Sequence, residues 1–191
     1  MPGFAPLVDT NDLKAAAKTI RSGGIVAYPT ESCYGLGCDP KQHQAVHRLL
    51  RIKRRPWQLG LIIISARLQQ LLRYIDCDRG QLNRAAGEWP GPVTWLMPIR
   101  PGVSRWLRGD NPAIAVRVTA HQGASALCNH ARMALISTSA NRHGRPPARS
   151  AGAVNREFGD EIDFILPGKP GGSVRPSEIR DLFTDHVVRA G

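Results

Sequence analysis

The chain has 191 residues, of which 42% are hydrophobic and 21% are charged, and its formal net charge is +11. This composition excludes a disordered chain and predicts one globular domain over residues 1–191. No apolar stretch approaches the roughly 20 residues of a membrane-spanning helix, and neither a signal peptide nor a C-x-x-C pair is visible, so we expect a reduced, cytoplasmic protein. The positive charge favours a polyanion such as RNA as a partner, although solubility explains it equally well.

Apolar periodicity and the positions of glycine and proline predict a series of helices and strands. In chain order they are a helix over 11–22, a strand over 24–28, a helix between Pro40 and Pro56, a strand over 61–65, helices over 66–74 and 79–87, strands over 93–97 and 113–118, a helix over 121–131, a strand over 134–138, a helix over 150–158, and strands over 164–166 and 187–189. The segment with Gly35 and Gly37 is predicted to be a loop. Because helices and strands alternate, the expected fold class is α/β, with flanking helices around a mixed sheet.

Three short polar segments adjoin these predicted elements. YPTE at 28–31 follows the first strand, KRRP at 53–56 closes a basic helix, and STSAN at 137–141 follows the strand over 134–138. Ligands of α/β proteins collect outside the ends of strands. Hydroxyls, a carboxamide and fixed cations gathered there would suit an anionic ligand.

Two basic positions each admit a functional and a structural interpretation. Lys53 and Arg55 are either phosphate ligands at a helix end or part of a solvated basic face. Arg117 interrupts the apolar run AIAVRV, so it is either exposed on an amphipathic strand or buried beside an anionic partner. A ligand carboxylate held in a bidentate pair would meet the demand of a buried arginine.

The serine-rich segment is equally open. Ser137, Ser139 and Asn141 share one side of an extended strand, where they either bind a nucleotide or cap the next turn. No general base pairs with these serines, which argues against a hydrolase triad. The histidines form no zinc-binding pattern, so we expect no metal held by protein ligands. No glycine-rich phosphate loop is present either, so any nucleotide must be bound by a less common fold.

Six motifs, in order, resemble those of the YrdC/TsaC family in its short bacterial TsaC form, and the resemblance covers nearly the whole chain. They are YPTESCYGLG at 28–37, KRRP at 53–56, WPGPVT at 89–94, AVRV at 115–118, STSAN at 137–141 and PSEI at 176–179. The resemblance implies a single-domain, open, twisted sheet with a deep, positively charged concave cleft. It also implies a nucleotidyltransferase that converts L-threonine, bicarbonate or CO2, and ATP into threonylcarbamoyl-AMP and pyrophosphate, for N6-threonylcarbamoyladenosine modification of tRNA.

The resemblance further implies roles for residues at the matching positions. It implies catalytic roles for Lys53, Arg55 and Arg117, binding of ATP by Lys53, Arg55, Ser139, Asn141 and Arg189, and binding of threonine and carbamate by Thr30, Arg117, Ser137 and Ser177. Mg²⁺ would arrive with the nucleotide, since magnesium often uses substrate phosphates and water as ligands. Leu59 stands where relatives often carry a polar or basic residue, which leaves that edge of the site unassigned.

Two other functions fit parts of the sequence. The first is a protein that binds structured RNA or tRNA through a basic face, with a vestigial cleft; the face is formed by Arg48, Arg51, Arg54 and Arg55. The second is a carbamoyl-transfer enzyme, which the length of 191 residues disfavours. The glycine- and proline-rich segment 167–176 is either an ordinary surface loop or a lid over the site. A synthase would be expected to hand its product to a threonylcarbamoyl transferase complex.

Overall fold

A computed structural model describes residues 8–190 of the chain. Its elements are α1 (Thr10–Arg21), β1 (Val26–Pro29), β2 (Tyr34–Gly37), α2 (His43–Lys53), a 3-10 turn (Trp57–Leu59), β3 (Ile62–Ser65), α3 (Leu68–Leu71), α4 (Arg79–Ala86), β4 (Thr94–Pro98), α5 (Arg105–Arg108), β5 (Ala113–Val118), α6 (Gln122–Ala131), β6 (Leu135–Ser139), α7 (Ala151–Phe158), β7 (Phe164–Ile165), β8 (Ile179–Asp181) and β9 (Val187–Arg189). No helix within residues 8–190 combines the length and the apolar character needed to cross a bilayer.

The strands of the described region form one nine-stranded sheet in the order β7-β1-β2-β6-β3-β5-β4-β8-β9. The pairs β1–β7, β3–β5 and β4–β8 are parallel and the remaining neighbours are antiparallel. The prediction of an α/β fold with a mixed sheet is therefore confirmed. Because every described strand belongs to this one sheet, we propose a single domain, as predicted for residues 1–191.

Helices cover both faces of the sheet. Successive residues of a strand point to opposite faces, and accordingly Ile63 belongs to one core cluster and Ile64 to the other. Leu49 of α2 packs in the cluster of Ile63, whereas Leu13 of α1 and Leu127 of α6 pack in the cluster of Ile64. This double burial explains why the central strands read as continuous apolar runs and not as alternating ones.

Strand β6 joins the two halves of the sheet. Its first part pairs with β3, with Ser137 opposite Ile62, and its last part pairs with β2, with Ser139 opposite Gly35. The polar end of β6 therefore lies where this strand changes its hydrogen-bonding neighbour. The candidate site is built around that point.

Several elements differ from the sequence-based expectation. Residues 34–37 form β2 and not a loop, because Gly37 serves a close strand contact: a Cβ there would lie 2.2 Å from the carbonyl oxygen of Ile136. The helix expected over 66–74 is reduced to Leu68–Leu71. The short elements α5 and β8 were not predicted, since three or four residues are too few to establish a hydrophobic period.

Candidate functional site

A cavity lies beside the end of β6 and the turn that follows β1. It has a volume of about 140 Å³ and is partly open to solvent. The predicted site residues that line it are Thr30, Arg55, Arg117, Ser137, Ser139, Ser177 and Arg189. The two predicted residues that do not line it are Lys53 and Asn141. Residues separated by up to 159 positions in the sequence are thus brought to one cavity.

A glycine keeps the floor of this cavity open. Gly35 lies opposite Ser139 in the pairing of β2 with β6. A Cβ on Gly35 would lie 3.2 Å from Cγ2 of Thr30 and 3.3 Å from Oγ of Ser137, which are both tight contacts. The hydroxyl of Thr30 donates to the carbonyl oxygen of Cys33 at 2.9 Å and closes the turn after β1. Because residue 35 is a glycine, the side chains of Thr30 and Ser137 can both lie close to the backbone of β2 at the bottom of the cavity.

The structure decides between the two interpretations of Arg117. This residue is only 6% exposed, on β5, so it is buried with an anionic partner. Its Nη2 lies 3.3 Å from Oε2 of Glu31, whose Oε1 accepts a 2.6 Å hydrogen bond from the hydroxyl of Thr119. Nε of Arg117 is buried and has no hydrogen-bond partner within residues 8–190.

Glu31 was not assigned by the sequence reasoning. Burial raises the pKa of its carboxyl group, but the charge of Arg117 and the hydrogen bond from Thr119 outweigh burial and leave the pKa below its ordinary value. The sequence did contain a signal. Glu31 is the acidic residue of the first motif, and a buried Arg117 requires an anion.

Two further arginines on other elements reach the cavity. Arg55 donates from Nε and Nη2 to the carbonyl oxygen of Gly60, at 3.2 and 3.0 Å. Arg189 on β9 donates from Nη2 to the carbonyl oxygen of Ser177 at 2.7 Å. Partial burial, and then the charges of Arg117 and Arg55, lower the pKa of Arg189. An anion bound among these guanidinium groups would relieve their mutual repulsion.

Lys53 lies at the end of α2, beside the cavity but not among the residues that line it. It is 2% exposed and donates from Nζ to the carbonyl oxygens of Ser139 and Asn141, at 2.5 and 2.6 Å. Burial, and then the neighbouring charge of Arg55, lower the pKa of Lys53 to about 8. Helix α2 ends at Lys53, and Arg54 adopts a left-handed conformation with φ 50°. The chain therefore turns between the two basic residues, and Arg55 reaches the cavity while Lys53 stays beneath its wall.

Asn141 stabilises the turn after β6. Its Oδ1 accepts from the hydroxyl of Ser139 at 2.5 Å, and its Nδ2 donates to the carbonyl oxygens of Arg142 and Arg145, at 3.0 and 2.6 Å. This is the turn-capping arrangement that the sequence had left open beside a ligand-binding one. Ser139 takes part in both, since it caps the turn and also lines the cavity.

The segment 167–176 lies against the site. Backbone amides of Gly171 and Ser173 donate to the carbonyl oxygens of Thr30 and Glu31, at 2.9 and 3.0 Å. Ser173 lines the cavity together with Arg175 and Pro176. The segment therefore packs on the turn between β1 and β2, which carries four of the cavity residues. Its movement as a lid stays a prediction.

Metal ligands, Leu59 and Cys33 were the remaining features to locate around the cavity. Within residues 8–190, no group of three or more histidine, cysteine, aspartate or glutamate side chains is arranged to hold a metal ion. Leu59 is 49% exposed, and its side chain does not line the cavity, although its carbonyl oxygen accepts from Nη2 of Arg55 at 3.5 Å. Cys33 lines the cavity, and burial raises the pKa of its thiol, which disfavours a nucleophilic role.

The structure is a mixed, open α/β sheet with hydroxyl groups and several arginines around one cavity, an arrangement that would suit an anionic ligand. The Sua5/YciO/YrdC family model, described as telomere recombination, matches residues 18–191. The chain belongs to this family.

Similar proteins match most of the chain. A protein of Methylobacillus flagellatus named threonylcarbamoyl-AMP synthase is 50% identical over 177 residues, which are 92% of this chain and 98% of that protein. The solved structure of P. abyssi Sua5 complexed with L-threonine has a TM-score of 0.86 at 33% identity and covers 93% of this chain. This chain spans 53% of that longer protein. The structure of E. coli YciO has a TM-score of 0.83 at 25% identity and covers 95% of this chain and 89% of its own.

Proposed function

We propose that this protein is a threonylcarbamoyl-AMP synthase. The reaction combines L-threonine, bicarbonate or CO2, and ATP into threonylcarbamoyl-AMP and pyrophosphate, for N6-threonylcarbamoyladenosine formation in tRNA. The observation that carries the proposal is the convergence of distant polar motifs on one cavity that is lined by arginines and hydroxyls. Its close relative in Methylobacillus flagellatus bears the name of this activity, and P. abyssi Sua5 was solved with L-threonine.

The chemistry asks the protein mainly for positioning and for neutralisation of charge. The amine nitrogen of threonine attacks the carbon of CO2 and releases protons to solvent, which gives a carbamate. A carbamate oxygen then attacks the α-phosphorus of ATP, the bond from that phosphorus to the bridging oxygen breaks, and pyrophosphate leaves. This is a nucleotidyl transfer in which ATP enters as its Mg²⁺ complex. The rate enhancement comes from alignment and from cations around the phosphates.

The proposed roles follow the position of each side chain. Arg55 and Arg189 bind the phosphates, and Ser139 contacts the nucleotide from the end of β6. Lys53 and Asn141 support the nucleotide site by fixing the turn after β6, to which both are hydrogen-bonded.

The remaining candidate residues of the cavity bind the amino acid. Arg117 binds the carboxylate of threonine, and Thr30, Ser137 and Ser177 surround the amino acid and its carbamate. The hydroxyl of Thr94 donates to Oγ of Ser177 at 3.1 Å, which orients this serine toward the cavity wall.

The first test is pyrophosphate release from MgATP in the presence of bicarbonate. Release should require L-threonine, should be much slower with L-serine, and should be accompanied by threonylcarbamoyl-AMP in the mass spectrum. Release that is independent of threonine would contradict the proposal. Arg55→Ala should lower the release at least about tenfold. Its matched control, Arg73→Ala, replaces an exposed arginine outside the cavity and should behave as wild type.

A second candidate activity is binding of single-stranded RNA, and one surface favours it. A groove of about 410 Å³ is lined by His47, Leu50, Arg51, Arg54, Arg55, Pro56, Trp57 and Trp106. The guanidinium of Arg105 lies 4.1 Å from the ring centroid of Trp57, and the rings of Trp57 and Trp106 are 5.3 Å apart. Arg51, Arg54 and Arg105 form no ion pair within residues 8–190. Indole rings beside unpaired arginines are the groups that bind unstacked bases and phosphates.

Two cellular expectations rest on the synthase proposal. We propose that the protein acts in the cytoplasm, where its tRNA pathway would operate. We also propose that the mixed anhydride product passes to a threonylcarbamoyl transferase complex, because a carbamic–phosphoric anhydride is readily hydrolysed. The groove beside Arg55 would allow bound RNA and the nucleotide site to share one arginine.

A further inference from the structure

Glu31 is the one carboxylate among the described residues that line the cavity. Its side chain is 19% exposed and that of Arg117 is 7% exposed, so the pair is largely removed from water. A carboxylate in a cavity that receives ATP and a carbamate is unexpected, because it repels both. Glu31 meets the need of Arg117 for an anion, and its carboxylate would also attract a positively charged group of a substrate.

The pairing of Glu31 with Arg117 leaves binding capacity on both sides. One guanidinium nitrogen, Nη2, contacts Glu31 at 3.3 Å, and Nε is buried without a partner in the described part of the chain. An arginine fork is satisfied best by a bidentate carboxylate. Each carboxylate oxygen of Glu31 has one protein donor, from Arg117 or from Thr119, and an ionised carboxylate accepts about four hydrogen bonds. The pair therefore retains an unused donor at the guanidinium group and unused acceptor capacity at the carboxylate.

We propose that the Glu31–Arg117 pair is a receptor for an amino-acid zwitterion. Arg117 binds the α-carboxylate of the substrate and Glu31 binds its α-ammonium group. The charges of the two side chains are opposite, adjacent and partly buried, which matches the two charges of an α-amino acid. The inference rests on the proposed synthase function and adds a specificity-determining residue to it.

Glu31 would also act differently on the substrate before and after the carbamate forms. When the substrate –NH3⁺ reacts with CO2 to form –NH–COO⁻, two protons pass to solvent and one new N–C bond forms. The group near Glu31 changes from a cation to an anion in this step. Glu31 attracts the ammonium group but repels the carbamate, whereas Arg55 and Arg189 on the same cavity attract the carbamate. Glu31 therefore holds the substrate and then favours movement of the carbamate oxygen toward the nucleotide.

The test compares two ligands that differ only in the amine. Isothermal titration calorimetry measures binding of L-threonine and of 3-hydroxybutanoate, which keeps the carboxylate and the hydroxyl. The wild-type protein should prefer threonine by about tenfold or more, as expected for a partly buried charge pair. Glu31→Gln should lose at least about tenfold in affinity for threonine and bind 3-hydroxybutanoate as well as wild type or better, because Arg117 is then released from Glu31.

Thr119→Val provides the structural control. This variant removes the hydrogen bond to Glu31 and leaves its charge, so it should keep the preference for threonine over 3-hydroxybutanoate. An equal loss of both ligands in Glu31→Gln would assign a merely structural role to Glu31 and overturn the inference. The wild-type protein also tests the inference without any variant. If it binds L-threonine and 3-hydroxybutanoate with equal affinity, the inference is overturned whether or not Glu31→Gln folds.

The proposed synthase function is tested by a different assay, the release of pyrophosphate. If pyrophosphate release requires threonine while the two ligands bind equally, the synthase proposal stands and the zwitterion receptor is wrong. If release does not require threonine and threonine does not bind, both are wrong. In steady-state turnover, Glu31→Gln should raise the KM for threonine far more than it changes the KM for ATP.

Discussion

At the scale of single residues, Lys53 shows how a buried charge shapes a binding site without lining it. Its ammonium group lies between two backbone carbonyls of the turn after β6 and is almost fully removed from solvent. A buried cation is costly, and burial accordingly lowers the pKa of Lys53 to about 8. The cost is offset by the hydrogen bonds that fix the turn, on which the position of Ser139 depends.

Lys53→Met should change the pH dependence of stability. The folded-state pKa of Lys53 lies below its unfolded value, so between pH 8 and pH 10 the unfolded chain binds more protons at this side chain than the folded protein does. The unfolding free energy of wild type relative to Lys53→Met should therefore rise by about 2 kcal/mol from pH 8 to pH 10. Urea denaturation at a series of pH values measures this difference.

The control for this prediction is Lys41→Met, which replaces an exposed lysine and should follow wild type at each pH. A difference between wild type and Lys53→Met that is constant, or that falls as the pH rises, would contradict the lowered pKa. Methionine is the appropriate replacement because it keeps the length of the buried chain while removing its charge.

At the scale of elements, the contact of β2 with β6 brings the first and the third polar motif together. The two strands are antiparallel, with Leu36 opposite Thr138, and the glycines of β2 allow a close approach. Gly37 lies against the carbonyl oxygen of Ile136 and the ring of Tyr28. A side chain there would separate the strands and displace the polar end of β6 from the cavity.

Gly37→Ala should therefore destabilise the protein by about 2 kcal/mol or more, since its Cβ would meet backbone at 2.2 Å. Gly152→Ala is the matched control. Gly152 is exposed in α7 and its Cβ would meet only Nη1 of Arg156 at 3.7 Å, so alanine should leave stability unchanged or raise it by up to about 1 kcal/mol. Thermal and urea denaturation of both variants test the pair. Equal stabilities would show that the close strand contact is not required.

At the scale of the whole molecule, positive charge is arranged on two adjoining surfaces. The cavity carries Arg55, Arg117 and Arg189, and the groove of Trp57 and Trp106 also carries Arg51 and Arg54, which are exposed. Arg55 lines both surfaces. The net charge of +11 is therefore concentrated in part where two kinds of anion would meet, a nucleotide and a polynucleotide.

Binding of a short single-stranded RNA should be strongly salt-dependent if the groove is its site. Each phosphate contact contributes a slope of about −0.7 to the logarithm of affinity against the logarithm of salt concentration. The double substitution Arg51→Ala, Arg54→Ala should thus reduce the magnitude of the slope by about 1.4, measured by fluorescence anisotropy between about 50 and 200 mM salt. Arg73→Ala, Arg79→Ala removes the same charge outside the groove and should leave the slope near that of wild type. The opposite ranking of the two double variants would rule the groove out.

Much of the fold and of the cavity was predictable because the information is local. Apolar runs with flanking glycine and proline predicted the strands over 61–65 and 113–118 within one or two residues of β3 and β5. The boundary residues differ because helix and strand ends fray and depend on caps. The resemblance to a known family, and not motif spacing alone, selected the nine candidate site residues, of which seven line the cavity.

The sequence by itself determined the class of fold, the family resemblance and which segments carry polar groups into a common site. Only the tertiary structure decided that Arg117 points inward to Glu31, 86 residues away, and that Lys53 lies beneath the wall to which Arg55 contributes. The physical reason is that periodicity fixes which residues share a face of an element. Whether a charged side chain on that face is buried, and what it contacts, depends on the residues that cover the face. That cover is supplied by residues distant in the chain, and short-range patterns do not contain it.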